Sequence, residues 1–446
     1  MANGPSPRRA RVLAFPQRVV HAMIRSVSVA LALRIAGTLV WLAFGVLLAR
    51  TLSMADAGIV FFAIGLSLLA GPLVAAGYDL VVLRFASVGL REGATEDIRR
   101  LRGEATLVCL GVSGLAMAGL FAVWGMGVAT PVTSRFDVAL LTALSVAATG
   151  LMAIHRDLLR AAGRLGPALV GQSLYRTLLP CLACGMLAAA GLLTAVTALT
   201  CYVAALCAAL LQQSLALRGL RLSPLCPRTL SRARIALAVW PGDAALLVLQ
   251  RGAGLALGLT AGIEAAALYL VAERVAQPGL FVTDAARTAL APDLACATPV
   301  ERQRSARRAS LLFAFAGGGG VAAVTLLGAL VLDLHGPEYE AAWPVLMILL
   351  VGQASWAVFG PTALLLNLYG EETARSRIAV LSAMGFLLAL LFCATPVEAA
   401  VAAAAGCWAM NAALWLCLRR RLDLVSGLPA LFLPVIAPDP HPAGGA

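Results

Sequence analysis

The sequence predicts an all-α polytopic membrane protein of about twelve transmembrane helices, built as two halves of six, and three observations predict it. Of the 446 residues, 61% are hydrophobic and only 13% charged. Apolar runs of about 20 residues, enough to cross a hydrocarbon layer as helix, recur along the whole chain. Arginines gather in every second connection between these runs. The stretch LARTLSMADAGIVFFAIGLSLLAGPLVAAGYDLVVLRF (48–85) also returns in looser form as LTAGIEAAALYLVAERVAQPGLFVTDAARTALAPDL (259–294).

In order, the expected spans cover 27–48, 57–86, 105–124, 138–159, 168–190, 194–217, 235–259, 265–290, 310–332, 342–368, 378–394 and 397–418. Arg8, Arg9, Arg11, Arg18 and Arg25 precede the first span, with no small-residue cleavage site after it. That pattern predicts a retained cytoplasmic tail rather than a cleaved signal peptide. The second span is followed by Arg91, Arg99, Arg100 and Arg102, the fourth by Arg156, Arg160 and Arg164, and the sixth by Arg218, Arg221, Arg228, Arg232 and Arg234. Arg302, Arg304, Arg307 and Arg308 follow the eighth, Arg375 and Arg377 the tenth, and Arg419, Arg420 and Arg421 the twelfth. The alternate connections carry only Arg50 and Arg135. The excess of positive charge marks the cytoplasmic side, so both termini are expected there.

Each copy of the repeat has an acid at its head (Asp56, Glu264) and a mid-helix proline (Pro72, Pro278). Each closes on an acid and an arginine, Asp79 with Arg84 and Asp284 with Arg287. Asp56 aligns with Glu264 at a shift of 208 (264 − 56), and Gly163 with Gly370 at 207 (370 − 163). Halves of six spans both enter from the same side, so the repeat is parallel. The expected organisation is a tail at 1–26, a first six-helix lobe at 27–217, a linker at 218–234, a second lobe at 235–418 and a tail at 419–446.

Several chemistries are excluded. The chain has no lysine, hence no phosphate-loop lysine and no imine-forming amine. The positive charge follows the loops rather than a nucleic-acid patch, so no nucleic-acid partner is expected. The cysteines lie mostly inside apolar runs, and Cys181-x-x-Cys184 is read as small-residue packing. His21, His155 and His335 stand apart in sequence, so neither metal nor cofactor is expected. The connections are too short to hold an external catalytic domain, and the chain is read as a non-enzyme.

Charge inside a bilayer costs about 2.5–3.5 kcal/mol per residue on insertion scales and is kept where it faces a bundle interior or water. Arg34, Arg176, Arg251 and Arg274 lie deep within predicted spans, with Asp243 and Glu273 beside them. They are the expected substrate contacts. Guanidinium groups bind phosphate oxygens bidentately, so an anionic group such as pyrophosphate suits them. Pro72 and Pro278, each removing a backbone hydrogen bond, are the expected helix hinges.

The stretch LLARTLSMADAGIVFFAIGLSLLAGPLVAAGYDLVVLRF resembles the amino-terminal signature of Wzx-type polysaccharide flippases. Its Ala-Arg-x-Leu ending of span one, acidic-glycine turn and arginine close of span two carry the likeness. LHGPEYEAAWPVLMILLVGQ (334–353) is similar to the turn before span ten of that family, and the 159–164 and 366–371 junctions also fit. The resemblance implies the multidrug/oligosaccharidyl-lipid/polysaccharide (MOP) exporter fold, with two six-helix lobes around a central cavity. It further implies a flippase that moves undecaprenyl-pyrophosphate-linked oligosaccharide, an O-antigen, capsule or exopolysaccharide repeat unit, across the bacterial inner membrane by alternating access. A cationic cavity is carried over to Arg34, Arg251 and Arg274. The expected partners are the lipid-linked oligosaccharide and membrane lipids, with a polysaccharide polymerase and a chain-length regulator nearby, and the expected state is a monomer. Two other readings stand beside it: a cation-coupled multidrug or metabolite exporter, which needs a cavity dominated by acids, and an integral-membrane glycan polymerase or ligase, which needs an external loop.

Overall fold

The computed structural model describes residues 35–126, 135–220, 229–295 and 301–432, and these are helical with no strand among them. The first half comprises α1 (Ile35–Thr51), α2 (Met54–Val74), α3 (Tyr78–Arg91), α4 (Thr95–Gly125), α5 (Phe136–Ala161), α6 (Leu165–Val170), α7 (Arg176–Ala189) and α8 (Ala195–Ala216). The second comprises α9 (Thr229–Thr260), α10 (Ile263–Ala295), α11 (Arg302–His335), α12 (Trp343–Phe359), α13 (Thr362–Leu368), α14 (Glu372–Leu390), α15 (Pro396–Leu422) and the short α16 (Pro429–Phe432). Among the described residues nine helices are long and apolar enough to cross a membrane. The twelve-helix fold is completed by the shorter α1, by α6 with α7 as one span in two pieces, and by α10, while α3 and α13 follow α2 and α12 on the basic side.

Local chemistry sets the helix ends. Ser53 caps α2 by accepting from the Asp56 N–H. Thr194 with Thr197 opens α8, and Thr395 with Glu398 opens α15, each as a reciprocal capping box. The internal repeat is visible in these boundaries. Phe136 and Trp343 begin the fourth and tenth spans, 207 apart (343 − 136), and Ala161 and Leu368 end them, also 207 apart (368 − 161). Gly163 and Gly370, the pair aligned in the sequence, both turn the chain with positive φ, 70° and 86°. A left-handed residue stops a helix there, and glycine adopts that conformation without steric cost.

Three local features differ from the simplest sequence reading. The second span does not break at Pro72, which lies inside α2; the break is at Ala75–Gly77, where Gly77 takes φ 78°. A proline removes one hydrogen bond, whereas two consecutive positive-φ residues, Ala76 and Gly77, end the helix altogether. Pro278 leaves α10 helical throughout, with the Gln353 side chain donating to the Ala276 carbonyl 3.1 Å away. α9 starts at Thr229, within the stretch expected to be linker.

Within the first lobe α2, α5 and α8 pack together, and within the second α10, α11, α12 and α15 do so, with α9 on α14. The lobes meet along a seam where α2 lies against α9 and α10, and α3 against α9. Bare backbone lets them approach closely: a Cβ on Gly58 would stand 3.0 Å from Ile263, and one on Gly77 2.6 Å from the Ala236 carbonyl oxygen. Small residues at such contacts are how helices associate where lipid offers no hydrophobic drive.

Candidate functional site

Arginines lie at successive depths within the helical bundle. At a rise of 1.5 Å per residue, Arg156 lies about 8 Å from the arginine-rich end of its span, and Arg176 about 20 Å from the arginine-poor end of its own. Arg156 holds Asp157 bidentately through Nε and Nη2, and Arg160 donates to the same carboxylate at 3.0 Å. Asp157 is thereby neutralised, although it is buried.

Arg176 is set by an irregularity. Gly171–Tyr175 forms a single π-helical turn between α6 and α7, and Arg176 is the residue that follows it. Such turns rotate the side chains after them and recur at functional sites. Gly171 permits the local fit, since a Cβ there would meet the Gln212 and Gln213 side chains at 2.9 Å. The Arg176 Nε is buried and unpartnered. Arg251, Arg156 and the Tyr202 phenol lie within its electrostatic reach, and among the described residues it makes no ion pair.

Arg251 on α9 reaches Glu273 on α10 at 3.5 Å, and Gln277 donates to the same Oε1 at 3.5 Å. The Glu273 Oε2 has no partner. Arg251 keeps 28% of its side chain accessible and Glu273 13%. Asp243 is paired with Arg375 of α14 at 2.8 Å. Residues 132 apart in sequence meet there, and nothing local announces them. Asp79 lies within the field of Arg156, Asp157 and Asp243, whereas Arg84 is exposed. The expected closing pair of the first copy, Asp79 with Arg84, does not form, because residues five apart on a helix point away from each other. The side chain of Asp284 and the whole of Arg34 lie outside the described residues.

Arg274 sits apart from the others. It is 6% exposed, and its guanidinium lies 4.3 Å from the Trp41 ring and 4.6 Å from the Phe61 ring, so its partners are aromatic faces across the seam. A Cβ on Gly45 would stand 2.9 Å from the Arg274 Nη1 and 3.1 Å from the His335 Nε2. Only a bare glycine on α1 allows that approach. His335, isolated in sequence, is brought beside Arg274 by the fold.

Both ends of the seam are tied. Toward the arginine-rich face, Glu104 accepts from the Tyr78 hydroxyl at 2.8 Å and meets Arg232 at 3.6 Å, and the Trp240 indole donates to the Leu73 carbonyl at 3.1 Å. On the opposite face Arg50 donates to the carbonyls of Leu334 and Asp333.

No protein-family model matches the sequence, and no curated protein does. Solved structures do match in shape. The lipid II flippase MurJ in an inward closed conformation has a TM-score of 0.69 at 12% identity, over 88% of this chain and 87% of that one. An inward-facing multidrug resistance MATE transporter of the MOP superfamily has a TM-score of 0.64 at 13% identity, over 89% and 98%. The fold is that of the MOP-superfamily transporters. A third MOP transporter, from Pyrococcus furiosus Vc1 and described as having a binding pocket of reversed polarity, has a TM-score of 0.54 at 14% identity, over 89% and 94%. In this chain Arg251 on α9 and Arg274 on α10 belong to the elements that meet α2 at the seam, and Arg176 lies within electrostatic reach of Arg251.

Proposed function

We propose that the chain is a flippase that moves a lipid-linked anionic glycan, an undecaprenyl-pyrophosphate oligosaccharide, across the bacterial inner membrane by alternating access. Its arginine-rich face and both termini are cytoplasmic in this reading, because short basic loops are retained on that side. One observation carries it. The half-buried Arg176 has a buried, unpartnered Nε, lies within electrostatic reach of Arg251, Arg156 and the Tyr202 phenol, and makes no ion pair among the described residues, so its charge is left for a ligand to neutralise. A pyrophosphate, with four or more acceptor oxygens, bridges Arg176 on one lobe and Arg251 on the other as fork-to-oxygen contacts. The glycan lies between the lobes while the polyprenyl tail stays in the bilayer. A polymerase and a chain-length regulator would use the product. A cationic drug is a poorer fit, since Glu273, Asp157 and Asp243 each already face an arginine.

The test is reconstitution of the full chain into liposomes with a fluorescent polyprenyl-pyrophosphate oligosaccharide, read by accessibility to an impermeant quencher. Transbilayer exchange faster than in empty vesicles, and slowed at least tenfold by Arg176→Gln at equal protein content, is expected. Exchange equal to empty vesicles ends the flippase reading, and so does transport of organic cations that Arg176→Gln leaves untouched.

A further inference from the structure

On the arginine-poor side of the seam the second lobe gathers three buried polar atoms that have no partner: Arg274 Nη1, His335 Nε2 and Tyr339 Oη. Their residues are 6%, 0% and 1% exposed. Buried polar atoms are nearly always paired, so three orphans in one place need a reason. They come from separate elements. Arg274 lies on α10, His335 ends α11, and Tyr339 lies in the 3-10 turn Pro337–Ala342 that leads into α12. The two rings meet edge to face with centroids 6.0 Å apart. The His335 Nδ1–H donates to the Val331 carbonyl at 2.7 Å, which fixes the ring with Nε2 free. The charged and phenolic groups acting on Arg274 are Tyr202, Glu273, Arg251 and Tyr339, and those acting on His335 are Arg274 and Arg50. Glu273, which also acts on Arg274, is engaged by Arg251, and among the described residues Arg274 makes no ion pair.

All three orphan groups belong to the second lobe, while Trp41 and Phe61, which lie against the guanidinium, belong to the first. When the lobes part on this side, Arg274 loses its aromatic cover and the three groups are exposed together. We infer that Arg274, Tyr339 and His335 form a second anion-binding station at the release side of the seam, roofed here by Trp41 and Phe61, which takes a phosphate-ester group from the central arginines. Arg274 Nη1 and the Tyr339 hydroxyl donate to phosphate oxygens, and the His335 Nε2 accepts from a protonated one. The direction of the hand-off rests on the proposed flippase reading; the anion site itself does not.

The two are tested apart by equilibrium binding of radiolabelled inorganic pyrophosphate to the purified full chain. The comparison is wild type, Trp41→Ala, Trp41→Ala with Arg274→Gln, and Trp41→Ala with Arg251→Gln, all checked for monodispersity. Trp41→Ala removes the cover, and Trp41→Leu does so with less loss of volume should the alanine variant fold poorly. The expected result is about one equivalent for wild type and about two for Trp41→Ala. The added equivalent is lost with Arg274→Gln and kept with Arg251→Gln. A folded Trp41→Ala or Trp41→Leu protein with no added equivalent overturns the station and leaves Arg274 a plug between the lobes. An added equivalent that survives Arg274→Gln overturns it as well. Wild type without any pyrophosphate, alongside an Arg274-dependent equivalent in Trp41→Ala, would sink the central site instead and leave this one standing.

Discussion

The Arg50 guanidinium, at the end of α1, donates its Nε–H to the carbonyl of Leu334 at 2.9 Å and Nη2 to that of Asp333 at 2.8 Å. Those carbonyls close α11 of the opposite lobe. The terminal carbonyls of a helix have no partner within it and carry the negative end of the dipole, so a cation from the other lobe is an effective tie.

Breaking that tie should open the arginine-poor side. Arg50→Ala removes two hydrogen bonds to a charged donor, at an exposed position that limits the loss to about 1.5 kcal/mol, roughly a tenfold shift toward separated lobes. A cysteine in place of Phe61, buried at the seam, reports on it. Labelling by an impermeant maleimide should be about tenfold faster in the Arg50→Ala background. Equal rates would mean that Arg50 does not hold the lobes together.

Arg176 should need its shape as well as its charge. Arg176→Lys keeps the cation but loses the planar fork that meets two phosphate oxygens at once. Flipping is expected to fall at least tenfold in Arg176→Gln and to an intermediate level in Arg176→Lys, measured in the quencher assay at matched protein content.

The Arg251–Glu273 contact should behave as a coupled unit. Removing Arg251 leaves a largely buried carboxylate without its cation, whose cost exceeds what the long 3.5 Å contact contributes. Arg251→Ala is expected to lower stability by about 1–3 kcal/mol, and Arg251→Ala with Glu273→Ala to recover much of that loss, read as thermal midpoints in one detergent. Additive effects would show that the two side chains are independent.

Gly77 rather than Pro72 should be the sensitive position of the second span. An alanine at Gly77 must hold φ near 78° and bring its Cβ 2.6 Å from the Ala236 carbonyl oxygen. A loss of about 1–3 kcal/mol and weaker contact between α3 and α9 are expected. Pro72→Ala, inside a helix that already accommodates the ring, should change the thermal midpoint little. The opposite order would return the hinge to Pro72.

Reading the chain alone recovers the span positions well because lipid imposes one rule on every segment: about 20 apolar residues with their backbone paired internally. Gly163 and Gly370, aligned by sequence, turn out to share a left-handed turn. The second-span break at Ala76–Gly77 is not legible in sequence, because a proline such as Pro72 is conspicuous there and a positive-φ pair is not. The π turn before Arg176 leaves no pattern that hydropathy registers.

Sequence by itself determined the all-helical polytopic class, the repeat of 207 residues and the alternation of basic connections, since each depends on local composition meeting a uniform solvent. Tertiary structure alone decided what each buried charge does. Hydropathy is the same for a side facing lipid and a side facing another helix, so it does not say which spans are neighbours. The pairing of Asp243 with Arg375 and the seating of Arg274 between Trp41 and Phe61 come from the packing order of the lobes. That order leaves Arg176 without an ion pair among the described residues, and sets Arg274 beside His335 and Tyr339.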